Sequence, residues 1–228
     1  MMGVLLEMKD LRDKYAVFVD REDAGRRLAS FLETRGLRSD LILAIPNGGV
    51  AVGYYVSLEL GVRLAVAVVR KVTFPWTTEA GFGAISWLGD VEVDKAALRI
   101  MSEAEYRKCL EKAKRSVEER ARLFAEYLPD SLEGLEVIIV DDGLATGYTM
   151  LAAIKAVKKL GARRLVAAVP TSSLSAARLT LGHVDALVVL NLRTQYPYAV
   201  ADAYKRWRDL SESEAVSMLR ALREQGLA

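Results

Sequence analysis

Five short runs of consecutive apolar residues, 41–45, 64–69, 137–140, 165–169 and 186–190, recur along this chain. A run with no polar alternation has no face to turn to water, so as a strand it must be covered on both sides. Stretches of helical period lie between the runs and supply that cover. Residues 20–35 place Ala24, Leu28, Phe31 and Leu32 on one helical face, and residues 50–60 form a second helix ended by Gly61. Further helices are expected over 102–127, over 149–160 with Gly161 as the stop, and over 173–181. A last helix, 211–223, opens on Ser211 and Glu214, the spacing of a capping box. Strands alternating with helices predict an α/β fold with a doubly wound, mainly parallel sheet and right-handed crossovers. Ligands on such sheets sit at the C-terminal ends of the strands.

Two stretches depart from this rhythm. Residues 73–89 hold Pro75, Gly81, Gly83, Gly89, Trp76 and Trp87 without clear period. They read mainly as an extended loop, with room for a short hairpin, and a long loop in a compact domain suggests a lid. The helix over 102–127 carries the pairs Glu103/Arg107, Glu111/Arg115 and Glu118/Arg122, which read as a solvated face.

Composition excludes several classes. The chain has 228 residues and a formal net charge of +2, which argues against a general nucleic-acid binder. No apolar run approaches the ~20 residues needed to span a bilayer, and the first nine residues lack a signal-peptide layout. A soluble, cytoplasmic protein is expected. Cys109 is the single cysteine, which leaves no intrachain disulfide or multi-cysteine zinc site, and it reads as a small buried hydrophobe. His183 is the single histidine and reads as a turn or capping residue. With no GxSxG elbow present, a Ser–His–Asp triad is disfavoured.

The segment VIIVDDGLATGYT, residues 137–149, carries the chemistry. Its apolar start makes a buried strand, and Asp141 and Asp142 stand where that strand emerges. The loop Gly143, Leu144, Ala145, Thr146, Gly147, Tyr148 and Thr149 then leads into a helix. Loop amides backed by a helix N-terminus form an anion site, to which Thr146 and Thr149 add hydroxyl donors. Two carboxylates beside a phosphate cup would be repulsive without sugar hydroxyls or Mg²⁺ to offset them. A ligand with a phosphate at one end and a diol in the middle fits. The loop lacks a Walker lysine and no GxGxxG follows a strand, which disfavours nucleotidases of the P-loop type and dinucleotide folds.

This segment resembles the binding motif for 5-phosphoribosyl-1-pyrophosphate (PRPP) of the type I phosphoribosyltransferases. The stretches DREDAGRRLA (20–29), IPNGGV (45–50), VVRKV (68–72) and YAV (198–200) are similar to a group of bacterial and archaeal members whose substrate is unsettled. The resemblance implies one domain over residues 1–228, with a core of about 20–192 and a hood or tail of about 193–228. It implies that Asn47, Gly48 and Gly49, with Arg70 and Lys71, face the diphosphate. Related sequences often carry Arg or Lys where this chain has Asn47. A cis peptide near Pro46–Asn47 is implied as well, and a homodimer. The N-terminal helix and the Tyr/Trp-rich tail would form a hood over the acceptor, with Tyr196 or Tyr198 stacking on it. The implied reaction transfers phosphoribosyl from PRPP to a nitrogen acceptor such as a nucleobase, with Mg²⁺ as cofactor held indirectly by Asp141 and Asp142. Those carboxylates are also the candidates for proton handling. Two other readings stay open: a non-catalytic PRPP or nucleotide sensor, and a phosphosugar hydrolase using Asp141 and Asp142 at a metal.

Overall fold

A computed structural model describes residues 3–77 and 80–228. Thr78 and Glu79, part of the loop read as a lid, lie outside the described residues. Six parallel strands form the central sheet: β1 (Val4–Glu7), β2 (Leu41–Ala44), β3 (Leu64–Val66), β7 (Glu136–Val140), β8 (Arg164–Ser173) and β9 (Ala186–Arg193). Their order is β1-β9-β8-β7-β2-β3. Three further strands, β4 (Val69–Thr73), β5 (Gly81–Ser86) and β6 (Val91–Val93), make a separate antiparallel sheet. The helices are α1 (Arg21–Thr34), α2 (Gly48–Leu60), α3 (Glu103–Leu123), α4 (Tyr148–Lys159), α5 (Leu174–Leu181) and α6 (Glu212–Glu224).

Both faces of the sheet are covered, as the unbroken apolar runs require. Successive residues alternate between two separate hydrophobic clusters: Ile42, Ile138 and Val188 belong to one, Leu43, Ile139 and Val189 to the other. Helices α1 and α2 pack closely because Gly25 has no side chain; a Cβ there would lie 2.7 Å from the Val52 carbonyl oxygen. The capping box at Ser211 and Glu214 forms as the sequence predicts, and α3 carries another at Ser102 and Glu105.

One expectation needs correction, one is sharpened, and one strand is new. The run 64–69 is not one strand: it leaves the central sheet after Val66 and starts the antiparallel sheet at Val69. Within residues 73–89 the short hairpin allowed for is present: β5 pairs antiparallel with β4 and is a buried strand in which Phe82, Ala84 and Ile85 are core residues. Among the described residues of this stretch, 74–77, 80 and 87–89 are outside the strands. Finally, β1 is an edge strand on β9 that the sequence pattern does not reveal.

The chain ends meet beside the strand termini. Phe18 bridges Tyr204, the Ala16 amide donates to the Asp202 carbonyl at 2.8 Å, and the Lys205 amide donates to the Phe18 carbonyl at 2.8 Å.

Candidate active site

Parallel pairing of β2 with β7 brings Ala44 beside Val140, and the Ile45 amide donates to the Val140 carbonyl at 2.9 Å. The turn after β2 and the loop after β7 therefore face each other. Glycine makes their contact possible. A Cβ on Gly49 would lie 2.8 Å from the Val140 oxygen, and one on Gly48 only 1.8 Å from Oδ2 of Asp142. The Pro46–Asn47 peptide between them is cis, as the resemblance implies. The Gly49 amide is committed to the Ile45 carbonyl at 3.0 Å. Its part in the turn is therefore close packing rather than donation.

Asp141 is 9% exposed and accepts from the Asp142 amide at 2.9 Å. Burial, then the charge of Asp142, pushes its carboxyl well above the usual range. Burial also raises Asp142, against the pull of Arg21. That pull is direct: Nε and Nη2 of Arg21 lie 2.9 and 2.8 Å from Oδ2 of Asp142. Arg21 also donates to the Arg208 carbonyl at 2.8 Å, and its guanidinium sits 3.9 Å from the centre of the Trp207 ring. Behind the acids, Tyr204 donates its hydroxyl to the Asp142 carbonyl at 2.7 Å.

The loop after the acids is held from below. The Leu144 amide donates to the Thr171 carbonyl, its carbonyl accepts from the Ser173 amide, and its side chain is in the core. Leu144, included among the candidate phosphate contacts, is therefore an anchor with no amide left to give. Among the described residues, the amides of Ala145, Thr146 and Gly147 have no hydrogen-bond partner, and α4 starts immediately behind them. This is the arrangement that holds an anion at a helix N-terminus. Thr146, Tyr148 and Thr149 line the same cavity, whose volume is about 920 Å³.

Asn47, Gly48, Arg70 and Lys71 line that cavity too, as do two cations of α3, Lys112 and Arg120. Arg120 was missed because α3 reads as a solvated face. The signal was present: Cys109, Ala113, Val117 and Arg120 are its buried residues and fall on one helical stripe. Arg21 was missed likewise, although it precedes Ala24 and Leu28 on the apolar face of α1.

Neither tyrosine assigned to the acceptor is among the residues lining the cavity. Tyr196 is 95% exposed, and Tyr198 turns its hydroxyl to Thr171 at 3.2 Å. The tail residues that line the cavity are Val200, Trp207, Asp209 and Leu210. Val200 lies against Gly143, where a Cβ would come within 2.5 Å of its Cγ1.

A parallel α/β sheet with paired carboxylates and a loop of unpartnered amides at its strand ends is consistent with the phosphoribosyltransferase class. The chain belongs to that family: the family model for the phosphoribosyl transferase domain matches residues 18–189. Over 213 residues it is 35% identical to a Mycobacterium tuberculosis protein named Putative phosphoribosyl transferase Rv0571c, covering 89% of this chain and 46% of that one. The chain thus spans about half the length of the curated relatives it matches. The structure of TT1426 from Thermus thermophilus is 32% identical, with a TM-score of 0.71 over 89% of this chain and 97% of that one.

Proposed function

We propose that this chain binds PRPP with Mg²⁺ and transfers its phosphoribosyl group to a nitrogen acceptor, such as a nucleobase, releasing pyrophosphate. One observation supports this reading: Asp141 and Asp142 stand between the loop whose Ala145–Gly147 amides have no partner among the described residues and the turn at Asn47–Gly48. A donor with a phosphate at each end of a sugar diol matches that order. The 5-phosphate would take the loop amides and Thr146 and Thr149, and the ribose hydroxyls would donate to the carboxylates. The acceptor nitrogen forms its bond to C1 as the C1–O bond to pyrophosphate breaks, through an oxocarbenium-like transition state. Trp207 and Val200 offer the acceptor an apolar wall in place of Tyr196 and Tyr198.

Among the described residues no group of three or more His, Cys, Asp or Glu is placed to hold a metal. Two adjacent carboxylates nevertheless suit Mg²⁺, which is commonly held by one or two carboxylates together with substrate phosphates. Bound there, it would offset charge on the leaving pyrophosphate. A phosphosugar hydrolase of the metal type would need more ligands than this. A homodimer and a cytoplasmic location belong to the same family-based reading; among the described residues no helix is long and apolar enough to cross a membrane.

Calorimetric titration with PRPP and Mg²⁺ tests the donor, and pyrophosphate release screened against purines, pyrimidines and other amines tests transfer. Saturable PRPP binding with turnover of one acceptor is expected. Binding with no turnover across the screen would instead assign a sensor, and no binding would remove the reading.

Arg21 sets the pH dependence of donor binding. Its charge pulls the Asp142 carboxyl down against burial. In Arg21→Ala that carboxyl moves up, so it protonates, and stops accepting from the diol, at a higher pH than in the wild type. The pH below which PRPP affinity is lost should therefore rise in Arg21→Ala. Titrations between pH 5 and 8 read this directly; superimposable pH profiles would exclude it.

A further inference from the structure

Arg120 is a charged side chain in a buried position, and Glu212 and Asp141 offset its burial and the repulsion of Arg70 only in part. It is 7% exposed. One of its terminal nitrogens donates to Oδ1 of Asn47, whose own amide donates to the Leu210 carbonyl at 2.7 Å. Its Nε lies 3.4 Å from Oε1 of Glu212 but makes no hydrogen bond. Arg70 lies near enough to repel it, while its own Nε donates to Ser116, one turn before Arg120, at 2.9 Å. Burial, then this repulsion, lowers the Arg120 guanidinium to about 10.

The rest of the cavity sharpens the point. Among the described residues its lining carboxylates are Asp141, Asp142 and Asp209, and none comes from β4 or α3. Those two elements contribute Arg70, Lys71, Lys112 and Arg120. A wall whose described lining residues carry four cations and no acid, with Arg70 near enough to Arg120 to repel it, is relieved by a compact ligand of several negative charges. The Asn47 side chain, on the cis turn facing the acids, joins this wall to the donor site.

We propose that Arg120, anchored by Asn47 and backed by Arg70, grips the diphosphate end of the donor, so that α3 supplies the cation of this subsite and the turn after β2 supplies only its anchor. This rests on the PRPP reading but can fail separately from it. The competing role for Arg120 is a brace that ties α3 to the start of α6 through Glu212.

The experiment is calorimetry of the full chain with three probes: PRPP with Mg²⁺, inorganic pyrophosphate with Mg²⁺, and ribose 5-phosphate, which lacks the diphosphate. Arg120→Ala should weaken PRPP and pyrophosphate by about 10- to 100-fold, the range for losing charge-assisted hydrogen bonds. Ribose 5-phosphate should bind within about twofold of wild type, since one probe lacks what the other two share. Arg120→Lys should recover part of the loss, and Asn47→Ala, which keeps the charge but frees it, should show a smaller loss of the same selectivity. These two variants also carry the test if Arg120→Ala does not fold. Equal weakening of all three probes, or unchanged pyrophosphate affinity in Arg120→Ala, overturns the proposal. A wild-type protein that binds pyrophosphate through Arg120 but neither PRPP nor ribose 5-phosphate would keep this subsite and remove the PRPP reading instead.

Discussion

Gly48→Ala is expected to abolish measurable PRPP binding while the central sheet stays folded. A Cβ at this position would sit 1.8 Å from Oδ2 and 2.4 Å from Cγ of Asp142. That carboxylate is held from the other side by Arg21. It can yield only by breaking the ion pair or by dragging the turn after β2 away from β7. A displacement of about 1 Å at a reacting centre costs on the order of 100-fold. Overpacking of this kind costs about 1–3 kcal/mol in stability. Gly36→Ala is the contrasting variant: Gly36 has a φ of +64°, and a Cβ there meets nothing within 4 Å. It should lose about 1 kcal/mol from backbone strain alone and bind PRPP normally. Calorimetry and urea unfolding of both proteins decide the matter. Wild-type affinity in Gly48→Ala would mean that the position of Asp142 is irrelevant to the donor.

Asp141→Asn and Asp142→Asn should both cripple donor binding, by about 100-fold if each carboxylate holds a ribose hydroxyl by a charge-assisted bond. Asp141→Asn should at the same time stabilise the unliganded protein by about 0.5–2 kcal/mol near neutral pH, the usual gain when a strained functional group is relaxed. The amide oxygen can still accept from the Asp142 backbone, so the local bond survives. The sign follows from linkage. The Asp141 carboxyl is raised by burial and by Asp142. Between the ordinary carboxylate pKa and its raised value, the folded state holds a proton that the unfolded chain has released. Across that window wild-type stability falls as pH rises, and below the window the penalty vanishes. Asp141→Asn should flatten this slope. Parallel stability–pH curves for variant and wild type would show that Asp141 is not strained.

Much of this was legible in the sequence. The unbroken apolar runs required a sheet covered on both faces, and Ile138 and Ile139 do enter opposite clusters. Residues 137–149 announced the strand, the acids and the loop in order. What was lost was tertiary. Gly81 and Gly83 read as loop signals, yet β5 needs Gly83 because a Cβ there would fall 2.4 Å from the Glu92 carbonyl oxygen. Nothing in the run 64–69 marks the point where the chain changes sheets. For Arg21 and Arg120 the period was informative and the charge misled: both lie on a buried helical stripe, where a cation calls for a partner. The exposure of Tyr196 depends on how the tail folds back, which no local pattern encodes.

The meeting of the two chain ends also bears on when the protein becomes competent during synthesis. The cavity draws on Arg21, Asn47, Arg70, Arg120, Asp142 and Trp207, so its walls come from residues far apart in the sequence. Tyr204 is bonded to the Asp142 backbone and Trp207 is stacked on Arg21. A chain emerging from the ribosome could pair β2 with β7 and present the loop at Ala145–Gly147 well before these last contacts exist. Domains form from the N-terminus onward as they are made, and contacts distant in sequence close late. The anion loop would thus be local and early, whereas the support behind the carboxylates would be non-local and the last part of the site to arrive.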